Sequence, residues 1–392
     1  MKIKCNNGDS DALFWKKIKS KYILQKIFAN LNQTKILELI RYNKMIKNKL
    51  NIIKYNYLKE YSKIEVEIYP KENTSDNFIN IDDENKSYYH IYFNNERKEV
   101  KKYNYNEKDK INKIKVIIDY EVKTLDSLFE SCNCIKSINF TKFNRNDINN
   151  MSKMFSKCQK IREINFSKFN TDKVKRMNDM FWGCVSLEKL DLSNFNTHEV
   201  RNMSFMFCSC FSLKELNVSN FDNENVTNMC NMFSGCSSLT QINLHNFNTN
   251  NVIDMSHMFC GCSSLIGIDL SNFNTKNVRN MEGMFSGCSS LKELNLSNFS
   301  TNKVKDISWM FSRCTSINEL NLSNFDTHSV KKMWWMFSEC SSLKKLNIMN
   351  FQNKSYKCIE GLFSGCSTLE IIICSPELKT KIIKKFPNLL IN

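Results

Sequence analysis

Residues 181–206 read FWGCVSLEKLDLSNFNTHEVRNMSFM, and the same arrangement returns every 26 residues along most of the chain. Ten phenylalanines fall at this interval, and a cysteine stands three residues after each of them. We number each 26-residue unit from its phenylalanine, position 0, to position 25. Self-similarity at a fixed period of this length predicts a repeat solenoid. The phenylalanines are Phe129, Phe155, Phe181, Phe207, Phe233, Phe259, Phe285, Phe311, Phe337 and Phe363, and the cysteines are Cys132, Cys158, Cys184, Cys210, Cys236, Cys262, Cys288, Cys314, Cys340 and Cys366.

The apolar positions within a unit predict its local structure. Positions 6 and 9 are always Leu or Ile, and position 11 is aliphatic or Phe until Cys374, which is the alternation of a short strand. Phe at position 14 closes a corner, and Thr at position 16 stands where a helix N-cap would be. Val at 19 and Met at 22 and 25 recur every three residues, which predicts a short helical or 3₁₀ turn.

One unit alone cannot bury its apolar face, so the units must stack as coils. The predicted fold class is an α/β repeat solenoid, with parallel strands on one face and short helical turns on the other. The residues expected to form its structural core are Phe181, Phe207, Phe233, Phe195, Phe221, Cys184, Cys210, Cys236, Cys262 and Cys288.

The pattern MFxGCxSLxxLxLSNFxTxxVxxM resembles the bacterial surface protein 26-residue repeat, a BspA-like branch of the leucine-rich repeats. The resemblance covers about residues 120–375 and implies a leucine-rich-repeat-like solenoid. Members of that family occur in bacteria and some protists, often on cell surfaces, and are implicated in adhesion and protein binding. The Asn at position 13 stands one residue earlier than the usual leucine-rich-repeat Asn, so the standard asparagine ladder is not assumed.

Four regions are predicted along the chain. Residues 1–60 have helical spacing, and residues 22–44, YILQKIFANLNQTKILELIRYNK, are similar to an F-box; the alternative is a plain helical accessory region. Residues 61–120 are expected to be a mixed, strand-containing linker or N-terminal cap, and residues 121–374 the solenoid. Residues 375–392 predict a capping helix with Ser375 as N-cap, in which Ile382, Ile383 and Phe386 cover the last coil.

The composition argues against most chemistry. The net charge of +16 permits acidic partners, but its simplest interpretation is a solvated, Lys-rich surface. The 17 cysteines lack metal-site spacing, so they are interpreted as small buried residues of a reducing compartment. No catalytic constellation or phosphate loop is present, so neither an enzyme nor a cofactor, metal or small-molecule substrate is expected. Nucleic acid is disfavoured because the basic residues are not interleaved with aromatics.

Positions that vary between units are candidates for partner binding. Trp309 and Trp335 share position 24 in adjacent units, and Trp334 precedes the second. Exposed tryptophans would form a hydrophobic patch on the flank, whereas the alternative is that they fold back over a neighbouring coil. Position 7, on the strand face, is expected to form a mixed, mostly basic ribbon whose candidate binding residues are Lys136, Arg162, Lys214, Lys292 and Lys344. The Asn or Asp at position 10 is expected to form a hydrogen-bonding ladder or a polar binding face.

These features favour a non-enzymatic protein–protein interaction module that binds an unidentified protein partner on the solenoid surface. One alternative is a substrate-recognition adaptor of a ubiquitin ligase, with the F-box-like residues docking the scaffold. Another is a cell-surface adhesin, which the family resemblance implies. No signal peptide or apolar run of about 18 residues is seen, so the sequence predicts a cytoplasmic protein without a membrane span.

Overall fold

The structure, a computed structural model, describes residues 62–71, 76–143, 145–352 and 360–385. Within them the chain forms a small antiparallel sheet, a solenoid of stacked 26-residue coils and a C-terminal helix. The fold class predicted from the repeat is correct: this is a leucine-rich-repeat-like solenoid, although it contains little helix. Residues 1–60, including the F-box-like stretch at 22–44, lie outside the described residues.

The sheet before the solenoid packs against its first coil. Its hydrogen-bonded order is β3-β5-β1-β6-β7. Strand β1 pairs antiparallel with β6, and β6 pairs in parallel with β7 of the next coil. The edge of the first coil is thereby covered rather than left open for pairing with another chain. The strands of this region are β1 (Ile64–Pro70), β2 (Asp76–Asn77), β3 (Tyr89–Phe93), β4 (Asn104–Tyr105), β5 (Ile114–Ile118), β6 (Ile135–Phe143) and β7 (Glu163–Asn165), and two 3₁₀ helices span Asp83–Tyr88 and Glu107–Asp109.

The predicted strand at positions 8–10 forms at both ends of the described solenoid. Strands β8 (Lys189–Asp191) and β9 (Glu215–Asn217) pair in parallel, as do β10 (Glu319–Asn321), β11 (Lys345–Ile348) and β12 (Ile371–Cys374). In the described coils between Asn217 and Glu319 these positions form no strand, and their aliphatic residues at position 9 are only half-buried. The strand face therefore has fewer contacts between coils in the middle of the array.

The opposite side of each coil is not helical, which corrects the prediction from the three-residue Val and Met spacing. Positions 22, 24, 0 and 2 donate their backbone N–H groups to the next coil, as in Asn231 to Ser256 (2.8 Å) and Phe233 to Met258 (2.9 Å). The intervening N–H groups close turns within their own coil. A helix would use these N–H groups internally and leave none to join neighbouring coils. The segment is thus a series of tight turns joined by a continuous parallel ladder.

Two rows of aromatic and thiol side chains occupy the solenoid interior. All ten repeat phenylalanines are buried, and the rings of Phe207 and Phe259 stack on Phe233 with centroid distances of 5.5 Å. The repeat cysteines are buried beside them, and from Cys158 to Cys366 each Sγ–H donates to the backbone carbonyl of the phenylalanine in the preceding coil. Cysteine fits this row because it is small and apolar and still supplies a weak donor.

Polar side chains at the corner also join the coils, although not as predicted. Thr at position 16 is not an N-cap: the hydroxyl of Thr275 donates to the Ser300 carbonyl and accepts from the Ser300 N–H, 2.9 and 2.7 Å away. Asn at position 13 does form a ladder, because Asn298 donates to two carbonyls of the preceding coil. The position-10 side chains make no such ladder; Asn295 instead accepts from the N–H two residues on.

Position 16 is Thr in six of nine units, with Arg145 and Asn353 in its place at the two ends of the array and Asn223 within it. The substitution within the array gives a first prediction. Asn223 occupies position 16, is buried, and neither its Nδ2 nor its Oδ1 has a hydrogen-bond partner. We expect Asn223→Thr to restore the bridge and raise the free energy of unfolding by about 1–2 kcal/mol, measured by urea denaturation. The reverse substitution, Thr275→Asn, should lower the free energy of unfolding by a similar amount. An unchanged stability for Asn223→Thr would mean that Asn223 is already hydrogen-bonded to water.

The C-terminal helix α1 (Pro376–Lys385) covers the last coil. Ser375 accepts a hydrogen bond from the Leu378 N–H at 3.4 Å, as an N-cap should, and Ile382 is buried. Ile383, expected to help cover the coil, is 43% exposed because it follows Ile382 by one residue and so faces away. Phe386 lies outside the described residues.

Candidate functional site

The three tryptophans come together on one flank of the solenoid. The rings of Trp309 and Trp334 meet edge to face with centroids 6.5 Å apart, and Lys332 Nζ lies 5.5 Å from the Trp334 ring centroid. Trp309 and Trp335 are 37% and 38% exposed, in adjacent coils. We refer to Trp309, Trp334 and Trp335 as the tryptophan cluster. It is an apolar surface beside Lys332, whose Nζ also lies 3.1 Å from Asp306 Oδ2.

Trp335 also folds back over its neighbour, so both sequence interpretations hold in part. A Cβ added to Gly361 would lie 2.4 Å from Trp335 Cδ2, which shows that the indole covers that glycine of the next coil. The side chain nevertheless keeps more than a third of its surface exposed. The ring is therefore held against the next coil, and part of the side chain remains accessible to a partner.

The backbone beneath the tryptophans is left-handed, a feature that the helical prediction for this segment does not include. Position 24 has a positive φ in every coil, including 54° at Trp309 and 55° at Trp335. A non-glycine residue in this conformation costs about 1–2 kcal/mol, and Gly or Asn is preferred. The signal was present in the register, because the same row holds Asn231, Gly283 and Gly361.

The basic residues predicted on the strand face are exposed but are not brought together. Lys136, Arg162, Lys214, Lys292 and Lys344 lie along nearly the whole solenoid. Acidic residues alternate with them: positions 7 and 8 together hold seven basic and six acidic residues. Several are paired, including Lys214 Nζ with Glu188 Oε2 at 2.9 Å and Lys345 Nζ with Glu319 Oε2 at 3.4 Å. A depression of about 760 Å³ crosses β8 and β9, and its charged rim includes Lys189 and Glu215. This face is a mixed-charge surface rather than a basic one.

The buried repeat thiols from Cys132 to Cys314 are poorly suited to nucleophilic chemistry. Burial raises the pKa of the eight repeat cysteines from Cys132 to Cys314, and for Cys262 to about 12. A thiol must ionise to act as a nucleophile or metal ligand, and these remain protonated at neutral pH.

One group of potential metal ligands occurs among the described residues. His198 Nδ1 lies 3.1 Å from Asp222 Oδ2 and 3.6 Å from Glu224 Oε2. All three side chains are exposed. Metal-binding histidines are ordinarily oriented by a second hydrogen-bonded group, and none of the described residues does this for His198. The arrangement is accounted for as a surface hydrogen bond between His198 and Asp222.

One protein-family model matches the repeat region of the chain. The family model described as "Mycoplasma protein of unknown function, DUF285" matches residues 123–241, 210–319 and 291–380. These matches do not include the F-box-like residues 22–44. A search of curated proteins finds no match.

Two solved structures match part of this chain. The first is a leucine-rich cell surface protein from Faecalibacterium prausnitzii A2-165, with 16% identity, a TM-score of 0.30, and coverage of 68% of this chain and 86% of that one. The second, from a TLR13–ssRNA13 complex, has 15% identity and a TM-score of 0.20, and the match covers 61% of this chain and 43% of that one. At these TM-scores neither structure informs which surface of this chain is functional. Among the residues that the structure describes, no helix is both long and apolar enough to cross a membrane.

Proposed function

Since the chain belongs to the DUF285 family, whose description assigns no activity, we propose its function from its geometry: it is a non-enzymatic module that binds a protein partner through the flank bearing the tryptophan cluster. The cluster is the observation that carries this proposal. Tryptophan is enriched among the residues that dominate binding energy at protein interfaces. Here Trp309 and Trp335 are each more than one third exposed and lie in neighbouring coils, and Lys332 lies beside Trp334.

The backbone conformation adds a second reason. The fold requires a left-handed residue at position 24 and accepts Gly at two coils of the same row, Gly283 and Gly361. Trp309 and Trp335 are therefore not the residues that stability alone would select there. A surface role in binding accounts for large aromatic side chains at strained positions.

The test replaces both strained tryptophans with the residue that this row tolerates. In Trp309→Asn/Trp335→Asn we expect the melting temperature to change little, because relief of left-handed strain offsets the lost ring contacts. Capture of partner proteins from native lysate by the full-length chain should fall at least about 30-fold, the effect of losing about 2 kcal/mol at a hot spot. Quantitative mass spectrometry of the retained proteins measures the loss.

Phe205→Asn is the matched control, since Phe205 is an aromatic residue on the same row with φ of 57°, four coils away. It should retain the partners of the unmodified chain. Equal retention by the double tryptophan variant, or a large loss of its stability, would refute the proposal. The ubiquitin-ligase adaptor and the surface adhesin stay predictions; recovery of a ligase scaffold in the same capture would favour the adaptor.

A further inference from the structure

A second row of side chains carries positive charge without acidic neighbours in the row. Position 20 is basic in five of the seven coils from 175 to 331 and acidic in none. All seven side chains are exposed. We define the basic row as these seven residues: Lys175, Arg201, Thr227, Ile253, Arg279, Lys305 and Lys331.

The backbone holds the basic row in close register. Each position-20 N–H donates to the position-20 carbonyl of the preceding coil, for example Arg279 to Ile253 and Lys305 to Arg279, both at 2.8 Å. Residues paired in this way stand about 5 Å apart, and like charges at that separation are destabilising. The fold therefore maintains a repulsive arrangement that an anion would relieve.

Four of the basic side chains in this row lie beyond ion-pair distance of every described carboxylate, unlike several on the strand face. Lys175, Arg201, Arg279 and Lys305 form no ion pair with the described residues, whereas Lys173 pairs with Glu199 one coil on. The excess of positive charge is largest in the later coils, where Lys276 and Lys303 flank the row.

A shallow groove of about 350 Å³ runs beside the basic row. Its walls include Asn251, Asn277, Arg279 and Lys303, and Ile253, 43% exposed, supplies an apolar contact. The groove crosses successive coils, so it follows the direction of the row.

We propose that the basic row and this groove bind an extended, acidic protein segment. The inference rests on the proposed function and names the chemistry of the partner, because Lys331 lies three residues before Trp334 and joins the row to the tryptophan cluster. A single-stranded nucleic acid is disfavoured, since positions 17, 18 and 20 of these coils hold no Phe, Tyr or Trp on which bases could stack. A lipid surface is disfavoured because Ile253 is the single apolar side chain in the row.

The probe is a fluorescent polyglutamate peptide of about 20 residues, titrated against the full-length chain by anisotropy at several salt concentrations. Arg201→Gln/Arg279→Gln/Lys305→Gln should weaken binding at least about tenfold at low salt and flatten its salt dependence. The matched control, Arg162→Gln/Lys292→Gln/Lys344→Gln, removes the same charge from the strand face and should weaken binding by no more than about twofold. If the triple variant is unstable, polyglutamate binding by the single variant Lys305→Gln tests the same prediction.

The outcomes separate this inference from the proposed function. Absence of polyglutamate binding, or an equal loss in both triple variants, would overturn the acidic-segment proposal while leaving the tryptophan capture result to stand or fall separately. Tighter binding of oligo-dT or of phosphatidylserine vesicles than of polyglutamate would also overturn it. Loss of polyglutamate binding in the basic-row variant, with retention in the strand-face variant, supports it.

Discussion

Raising the pH above 9 should unfold the solenoid cooperatively, because its interior is lined with thiols that cannot ionise in place. Burial raises the pKa of Cys262 to about 12, from an ordinary value of 9.0, and shifts the other repeat cysteines from Cys132 to Cys314 in the same direction. The folded chain keeps thiol protons that the unfolded chain loses, so stability is intact below pH 9 and declines as the pH rises.

The expected effect is large since the thiols act together. Each thiol lowers the free energy of unfolding by about 1.4 kcal/mol for every pH unit above the unfolded-state pKa. Eight thiols therefore lower it by about 11 kcal/mol at one unit, which is comparable with the stability of a whole domain. Circular dichroism and thiolate absorbance, recorded together from pH 8 upward, should change in a single transition. Cys262→Ala should reduce the slope of unfolding free energy against pH by one thiol. Thiolate absorbance that rises while the circular dichroism stays native would contradict the buried row.

Truncating one ring in the middle of the phenylalanine column should be the most damaging single substitution. Phe233 is buried and stacked on both sides, by Phe207 and Phe259. We expect Phe233→Ala to lower the free energy of unfolding by about 3–5 kcal/mol, because the rigid coils above and below cannot close the cavity. Urea denaturation measures the loss.

The central position of Phe233 among the stacked rings predicts a second effect of the substitution. A solenoid is stabilised by contacts between neighbours, so a weak central coil should divide the array and lower the cooperativity of unfolding. Phe211→Ala makes the same truncation at a phenylalanine that is 49% exposed, and it should cost less than about 1 kcal/mol. Equal losses of unfolding free energy in Phe233→Ala and Phe211→Ala would show that ring stacking in the interior does not stabilise the solenoid.

Much of the architecture could be predicted from register alone. In a stacked array, residues 26 apart lie next to each other, so the apolar rows that contain Phe233 and Cys236 are predicted to be interior. The pair Ser375–Pro376 likewise predicts the start of a terminal helix. The prediction failed where a local pattern fits two conformations. Met229 and Met232 are three residues apart, which suits a helical turn and equally suits the tight turns that form.

The candidate surfaces were only partly visible in the sequence. Trp309 and Trp335 could be picked out because they share a row, but their left-handed backbone could not, since it follows from N–H groups directed at the next coil. The sequence predicts a mixed, mostly basic ribbon on the strand face, and only the structure shows that Glu188 pairs with Lys214 there. Arg279 and Lys305, on the position-20 row, instead form no ion pair with any carboxylate that the structure describes.

The sequence by itself determined the 26-residue period, the positions whose side chains are buried, and therefore the solenoid fold, because the apolar residues that must be buried recur at that period. Only the tertiary structure decided the turn conformation, the hydrogen-bonded Thr and Asn rows, and which charges are neutralised. Those depend on atoms one coil away, 24 to 29 residues distant in the chain, and no local pattern of residues specifies how such atoms face one another.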